Sequence, residues 1–93
     1  MNFAISKRAR RQIEKIQARW LENRPAAPGL FLDELDAAER LLRNRPTFGL
    51  VYTTQTSGIV RRVLLTRTSH HLYYRYNAER DELIVLAVWG APR

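Results

Sequence analysis

The chain has 93 residues, of which 45% are hydrophobic, and a formal net charge of +7 at pH 7; it can build one domain with a modest core and is too apolar for a disordered chain. It contains no cysteine and only two histidines, so a disulfide framework and a thiolate metal site are excluded, and we expect neither a metal nor a cofactor. No apolar run reaches the roughly 18 residues of a membrane span, and the N-terminus lacks a signal-peptide pattern. We therefore expect a single cytoplasmic domain over residues 1–93 with no membrane partner.

Positive charge is concentrated in two parts of the chain. Residues 1–24 carry seven cations and two anions, and residues 47–78 carry four cations and no anion. Fourteen of the sixteen cationic residues are arginine, which pairs in bidentate fashion with phosphate and carboxylate groups. A surface that serves only solubility interleaves both signs. The pattern therefore predicts an anionic partner, either nucleic-acid phosphate or an acidic protein.

The first half of the chain predicts a short strand followed by two helices. The strand runs from Asn2 to Ser6, and Ser6 is a suitable N-cap for a helix from Lys7 to Asn23. A second amphipathic helix is predicted from Gly29 to Asn44 and ends before Pro46. Two such helices joined by a short loop form a helical hairpin with an apolar face to bury.

The second half predicts a sheet. Strands are predicted at Phe48–Gln55, Ile59–Thr66, His70–Tyr76 and Leu83–Trp89, with polar turns between them. The last strand is apolar on both faces, so we expect it to be the central strand and to pair with the N-terminal strand. The predicted fold is α+β with the arrangement β-α-α-β-β-β, in which the N-terminal strand and the helical hairpin pack on an antiparallel sheet.

A cationic and aromatic surface is predicted on the sheet face that carries no helix. Alternation along the predicted strand His70–Tyr76 places His71, Tyr73 and Arg75 on its more polar side. In the preceding strand Arg61 and Arg62 point to opposite sides. Which of them joins His71 depends on the strand register, which the sequence does not fix.

The first turns of the first helix are also cationic. The candidate nucleic-acid contacts there are Lys7, Arg8, Arg10 and Arg11. Exposed cations at a helix N-terminus oppose the helix dipole by roughly 0.3–1 kcal/mol each, so this arrangement suggests a function. A solvated helix face with tolerated charges is the alternative.

The order of elements and several segments resemble the RelE/ParE superfamily of type II toxin–antitoxin toxins. The segments are residues 5–13, the run from Pro28 to Gly49, Val60–Leu65, His71–Tyr76 and Leu83–Arg93. The resemblance covers essentially the whole chain. It implies a small basic toxin, associated with growth inhibition and plasmid stabilisation, that is held in a hetero-oligomer by a cognate antitoxin.

The resemblance implies one of two targets. RelE-like members cut messenger RNA on the ribosome, whereas ParE-like members poison DNA gyrase. The pattern from Arg61 to Tyr74 is closer to ParE-like chains, although these often carry histidine at the position of Trp89. RelE-like enzymes tend to end in a tyrosine-bearing tail, which Gly90–Arg93 lacks. We therefore expect a gyrase inhibitor more than an enzyme, with a ribosome-dependent endoribonuclease or a non-toxic partner-binding homologue as alternatives.

Two sets of candidate site residues follow. A ribonuclease without a metal needs a general base, a proton donor and cations for the phosphate, for which the candidates are Arg61, His71, Tyr73 and Arg75. The candidates for binding a target or an antitoxin are Arg61, Arg62, Arg67, His71, Arg75, Trp89 and Arg93. The plainer interpretations are a partly buried pair of histidines at a strand start, tyrosines that pack in the sheet, and arginines that dock antitoxin carboxylates.

Overall fold

The chain forms a five-stranded sheet with two helices, as seen in a computed structural model that describes residues 1–91. The elements are β1 (Asn2–Ile5), α1 (Lys7–Asn23), α2 (Leu30–Asn44), β2 (Leu50–Gln55), β3 (Gly58–Leu65), β4 (His70–Asn77) and β5 (Glu82–Gly90). The predicted α+β fold is confirmed. Its full order is β-α-α-β-β-β-β, because all four segments predicted after the helices form strands.

The strand order in the sheet is β1-β5-β4-β3-β2. β1 pairs with β5 in parallel, and the other neighbours are antiparallel. The final strand therefore pairs with the N-terminal strand, as predicted. The prediction that it is the central strand is wrong, because β4 holds the middle position. β5 lies inside the sheet between β1 and β4, which is consistent with the apolar character of both of its faces.

Both helices pack on the same face of the sheet and close the main core. Apolar side chains of both helices meet those of the sheet there, among them Ile16, Phe31, Leu42, Tyr74 and Val85. Such burial of apolar surface is the main term that favours folding. Neither helix described in residues 1–91 is long and apolar enough to cross a membrane.

The boundaries of α1 follow from local hydrogen bonds. The Ser6 hydroxyl accepts a hydrogen bond from the backbone N–H of Ala9 at 3.0 Å, which is the predicted N-cap. At the other end the backbone N–H of Arg24 donates to the carbonyl of Trp20 at 2.8 Å. Pro25 follows and cannot extend the helix.

The strand β2 begins two residues later than predicted. The backbone N–H of Phe48 donates to the carbonyl of Arg45 at 3.0 Å, which holds Phe48 in a turn. Gly49 then passes against the ring of Tyr74, where a Cβ atom would lie 2.8 Å from the ring Cε1. Only glycine fits this close approach, so regular strand pairing starts at Leu50.

Candidate functional site

The helix-free face of the sheet gathers aromatic and cationic side chains from five elements, α1 and β2 to β5. On β4, Tyr73 pairs with Arg62 of β3, whereas Tyr74 pairs with Arg61. Because paired residues of an antiparallel sheet point to the same side, Arg62 joins Tyr73 on the helix-free face. Arg61 lies on the side that carries the helices. This register decides the question that the sequence left open.

Aromatic rings on this face contact one another in a continuous series. The ring centroids of Tyr52 and Tyr73 are 4.9 Å apart in an edge-on arrangement, and those of Tyr73 and Trp89 are 4.9 Å apart. His71 lies 5.9 Å from Tyr73, also edge-on. The indole N–H of Trp89 donates to the hydroxyl oxygen of Tyr73 at 2.9 Å. Edge-on and tilted contacts of this kind are favourable for aromatic pairs.

Two guanidinium groups complete the arrangement. The Arg62 guanidinium carbon lies 5.1 Å from the ring centroid of Tyr52, and that of Arg8 lies 5.3 Å from Trp89. Both distances suit cation–π interactions. We call the set the open-face cluster: Arg8, Tyr52, Arg62, His71, Tyr73 and Trp89.

The open-face cluster has a fixed base and an exposed rim. Tyr73 is only 6% exposed and packs with Val60 and Ala87 in a small second core on this side of the sheet. Tyr52 and Trp89 remain 51% and 39% exposed. The rigid centre therefore presents two large aromatic side chains to a partner.

The positive charges of the open-face cluster are not neutralised within residues 1–91. The ion pairs in this part of the chain join Arg43 to Glu39, Arg80 to Glu82 and the N-terminus to Asp81. Arg8 and Arg62 take part in none of them. Their counter-charges must come from solvent ions or from a bound anion.

His71 is held mainly in its neutral form at pH 7. Its pKa lies below the usual 6.5 because its ring is partly buried and because the positive charge of Arg62 is close. Its Nδ1 atom is buried and has no hydrogen-bond partner within residues 1–91. A neutral imidazole can accept a proton, which is the property required of a general base.

The four candidate catalytic residues do not converge on one point. Arg61 lies on the other side of the sheet, where its Nη1 donates to the carbonyl of Gly49 at 3.0 Å. Arg75 is two residues along β4 from Tyr73, about 7 Å away, and its Nη1 donates to the hydroxyl of Ser57 at 2.9 Å. The geometry thus keeps His71 and Tyr73 together, places Arg61 on the other face, and directs the guanidinium of Arg75, which shares their face, toward the β2–β3 turn.

The remaining candidates are dispersed. Arg67 lies in the turn between β3 and β4, with its backbone N–H donating to Glu34 Oε2 at 2.9 Å. Of the cations at the start of α1, Arg8 reaches the open-face cluster, while the other three, Lys7, Arg10 and Arg11, are exposed. Arg93 lies outside the described residues.

Sequence reasoning missed Tyr52 as a member of the cluster. The register of β2 against β3 shifts between Val51 and Thr53, so Tyr52 sits at a bulge. A bulge re-aims one side chain, and here it places Tyr52 against Tyr73. The sequence signal was an aromatic residue inside a predicted edge strand, which by itself does not reveal a bulge.

No group of three or more His, Cys, Asp or Glu side chains within residues 1–91 is placed to hold a metal ion. Comparisons with protein-family models and with curated proteins find no match to this chain.

Proposed function

We propose that this protein is the toxin component of a type II toxin–antitoxin system of the ParE-like kind, which inhibits growth by poisoning DNA gyrase and is neutralised by a cognate antitoxin. The resemblance of the segments between Ile5 and Trp89 to the RelE/ParE superfamily supports the class of protein. The observation that carries the choice of mechanism is the open-face cluster, which is built to bind and is poorly arranged for hydrolysis.

Binding is favoured by the types of residue that the cluster exposes. Tryptophan, tyrosine and arginine dominate the energetics of protein–protein interfaces. Here the rings of Tyr52 and Trp89 pack on the nearly buried Tyr73, and the guanidinium groups of Arg62 and Arg8 lie over Tyr52 and Trp89, respectively. A pre-ordered aromatic and cationic patch loses little conformational entropy on binding, so an acidic protein surface is a suitable partner.

Hydrolysis is disfavoured by the positions of the candidate catalytic groups. A metal-independent ribonuclease must hold its base, its acid and its phosphate-binding cations around one reacting phosphate. Arg61 is on the wrong face for this, and the Tyr73 hydroxyl already accepts a hydrogen bond from Trp89 while its ring is 6% exposed. A non-enzymatic inhibitor requires none of these groups to converge.

One observation favours the second candidate, a RelE-like ribosome-dependent endoribonuclease. His71 is neutral at pH 7 and stands beside Arg62, so a base and a phosphate-binding cation are adjacent on the open face. Under this alternative the expected products are codon-positioned cuts in ribosome-bound messenger RNA. Such cuts would be lost on His71→Ala.

The decisive experiment compares two targets with the same purified protein. Supercoiling by DNA gyrase and translation on purified ribosomes are measured in parallel after growth arrest has been shown on induction. We expect blocked supercoiling or trapped cleaved DNA, with translation unaffected. Ordinary supercoiling in the presence of the protein refutes the gyrase proposal, and His71-dependent cuts in messenger RNA would replace it with the alternative.

Variants of the open-face cluster locate the binding surface. Arg62→Ala and Trp89→Ala should each weaken gyrase inhibition by about tenfold or more, because loss of an interface hot spot costs about 2 kcal/mol or more. Arg40→Ala removes an exposed arginine from α2 and is the matched control. Thermal unfolding of all three variants separates loss of binding from loss of fold. Equal inhibition by all three variants would place the binding surface elsewhere.

The antitoxin contact should depend on salt. If arginine–carboxylate pairs carry it, affinity falls as ionic strength rises, because exposed ion pairs are screened. The measurement is a binding titration of the antitoxin, encoded by the neighbouring reading frame, at low and high salt. A salt-independent affinity would show that apolar packing holds the complex.

A further inference from the structure

A recess lies on the side of the sheet that carries the helices, where the end of α1 meets the turn between β3 and β4. Its volume is about 560 Å³, and Gly90 and Ala91 close it at the end of β5. The polar side chains that line it are Arg19, Asn23, Arg24, Thr68, Ser69 and His70. Among residues 1–91 no carboxylate lines the recess, so the described part of this concave surface carries positive charge only.

Both arginines of the recess are free to bind an anion. Neither Arg19 nor Arg24 belongs to an ion pair within residues 1–91. The Arg24 guanidinium carbon lies 5.9 Å from the ring centroid of Trp20, and Trp20 is anchored by its indole N–H, which donates to the carbonyl of Ala27 at 2.7 Å. Stacking on an anchored ring reduces the freedom of the guanidinium before any ligand arrives.

A chain of hydrogen bonds fixes the state of His70 at the wall of the recess. The hydroxyl of Thr68 donates to Glu34 Oε1 at 2.7 Å, so its hydrogen is already used. Its oxygen lies 3.1 Å from His70 Nδ1, and the only donor left for this contact is the Nδ1–H of the imidazole. Neutral His70 therefore has its proton on Nδ1 and a lone pair on Nε2. A second proton on Nε2 would give a third cation in the recess.

The charged groups that face His70 come from both helices. Burial of its ring lowers the pKa of His70, the carboxylate of Glu34 on α2 raises it, and the positive charge of Arg19 on α1 lowers it. Its strand partners, Leu65 of β3 and Gly90 of β5, carry no titratable group. Glu34 itself is occupied by the hydrogen bonds of the β3–β4 turn, in which Arg67 N, Thr68 N and the Thr68 hydroxyl donate to it.

We propose that this recess binds a phosphate group through Arg19 and Arg24 and that binding is accompanied by protonation of His70. Two guanidinium groups balance a phosphate dianion, and their planar forks match its oxygens. The anion offsets the repulsion from Arg19, so the imidazolium form of His70 is stabilised when the site is filled. The volume exceeds that of one phosphate, so a nucleotide or the phosphorylated end of a nucleic acid also fits by size. This site does not depend on the proposed gyrase target.

The test follows the imidazole signals of His70 and His71 by NMR during titration with inorganic phosphate. We expect a saturable shift and a raised pKa at His70, whereas the signal of His71, which lies beside Arg62 on the open face, reports any separate binding of phosphate there. Phosphate itself gains a proton as the pH falls, so affinity is expressed for the dianion; on that scale it should increase as the pH falls toward the pKa of His70, because a proton is taken up on binding. No saturable response at His70 would overturn the proposal, and a dianion affinity that stays equal across about pH 5.5–8 would overturn its proton linkage.

Variants and competing anions make the assignment specific. Arg19→Gln and Arg24→Gln should each weaken phosphate binding by about tenfold or more, since each removes charge-assisted hydrogen bonds to the phosphate oxygens. Arg40→Gln, an exposed arginine on α2, should bind like the wild type. Unchanged binding in both recess variants, or equally strong binding of the dicarboxylate succinate, would refute a phosphate site formed by these arginines.

Two further probes distinguish a free nucleotide from a nucleic-acid end as the source of the phosphate. A nucleoside 5′-monophosphate that binds more tightly than inorganic phosphate supports a free nucleotide as the ligand. A short 5′-phosphorylated oligonucleotide that binds more tightly than its 5′-hydroxyl counterpart supports a nucleic-acid end. Loss of the His70 response with either probe, when inorganic phosphate gives it, would restrict the site to the small ion.

Discussion

Replacing Tyr74 by phenylalanine isolates one buried hydrogen bond of the fold. The side chain of Tyr74 is 0% exposed, and its hydroxyl oxygen accepts a hydrogen bond from the backbone N–H of Gly49 at 2.9 Å. Tyr74→Phe leaves that buried N–H without a partner, which costs about 1–3 kcal/mol of unfolding free energy. For a domain of about this size each kcal/mol lowers Tm by about 4–8 °C, so the change is readily measured by thermal or urea denaturation.

Tyr76→Phe is the matched control for this substitution. The hydroxyl of Tyr76 donates to Asp81 Oδ1 at 2.8 Å, but this bond lies at the surface. Water replaces it, so we expect a much smaller loss of stability than for Tyr74→Phe. Equal losses for the two substitutions, or no measurable loss for Tyr74→Phe, would refute the argument that burial makes the Gly49 bond valuable.

The wild type and Tyr74→Phe should also differ in how their stability changes at alkaline pH. Burial raises the pKa of Tyr74 above its usual 10.0, against smaller opposing effects of the Gly49 hydrogen bond and of Arg61. The unfolded chain therefore releases this proton at lower pH than the folded chain does. The contribution of Tyr74 is complete below pH 10 and is lost as the pH rises through its raised folded pKa. The stability gap between the wild type and Tyr74→Phe should narrow above pH 10, and a constant gap would contradict the burial of the hydroxyl.

Two further substitutions test the contacts that hold the turns. Glu34→Ala removes the acceptor of two backbone N–H groups and of the Thr68 hydroxyl. Because Thr68 is only 8% exposed, we expect the unfolding free energy measured by urea denaturation to fall by about 2–3 kcal/mol. A fall of less than about 1 kcal/mol would mean that water replaces these bonds. Gly49→Ala places a Cβ 2.8 Å from the buried Tyr74 ring, so overpacking should lower the unfolding free energy by about 1–3 kcal/mol. An unchanged Tm would show that the ring can move aside without cost.

The fold was largely predictable because its signals are local. Apolar residues recur at helical spacing along α1 and α2, and polar and apolar residues alternate along β4, so each element and its buried side can be recognised from a short stretch of sequence. The alternation also separates His71 and Tyr73 from Tyr74 correctly. The apolar character of β5 on both faces predicts its place inside the sheet.

The candidate site was less predictable because it is assembled by contacts between distant segments. Whether Arg61 or Arg62 faces Tyr73 depends on the register between β3 and β4, and a shift of one residue would exchange them. The position of Tyr52 depends on a bulge, and the contact between Arg8 and Trp89 joins the two ends of the chain. No short-range pattern in the sequence contains this information.

The cationic first turn of α1 is explained in part by this long-range contact. An exposed cation at a helix N-terminus costs roughly 0.3–1 kcal/mol, and a cation–π contact at a surface returns about 0.5–1 kcal/mol. Arg8, which lies 5.3 Å from the Trp89 ring, is therefore close to neutral in its effect on stability. Lys7 and Arg10 have no ring or carboxylate partner within residues 1–91, so their cost is not offset in the free protein. A partner that brings negative charge to the start of α1 would offset this cost when it binds. We therefore expect the proposed acidic surface to cover both the start of α1 and the neighbouring open-face cluster.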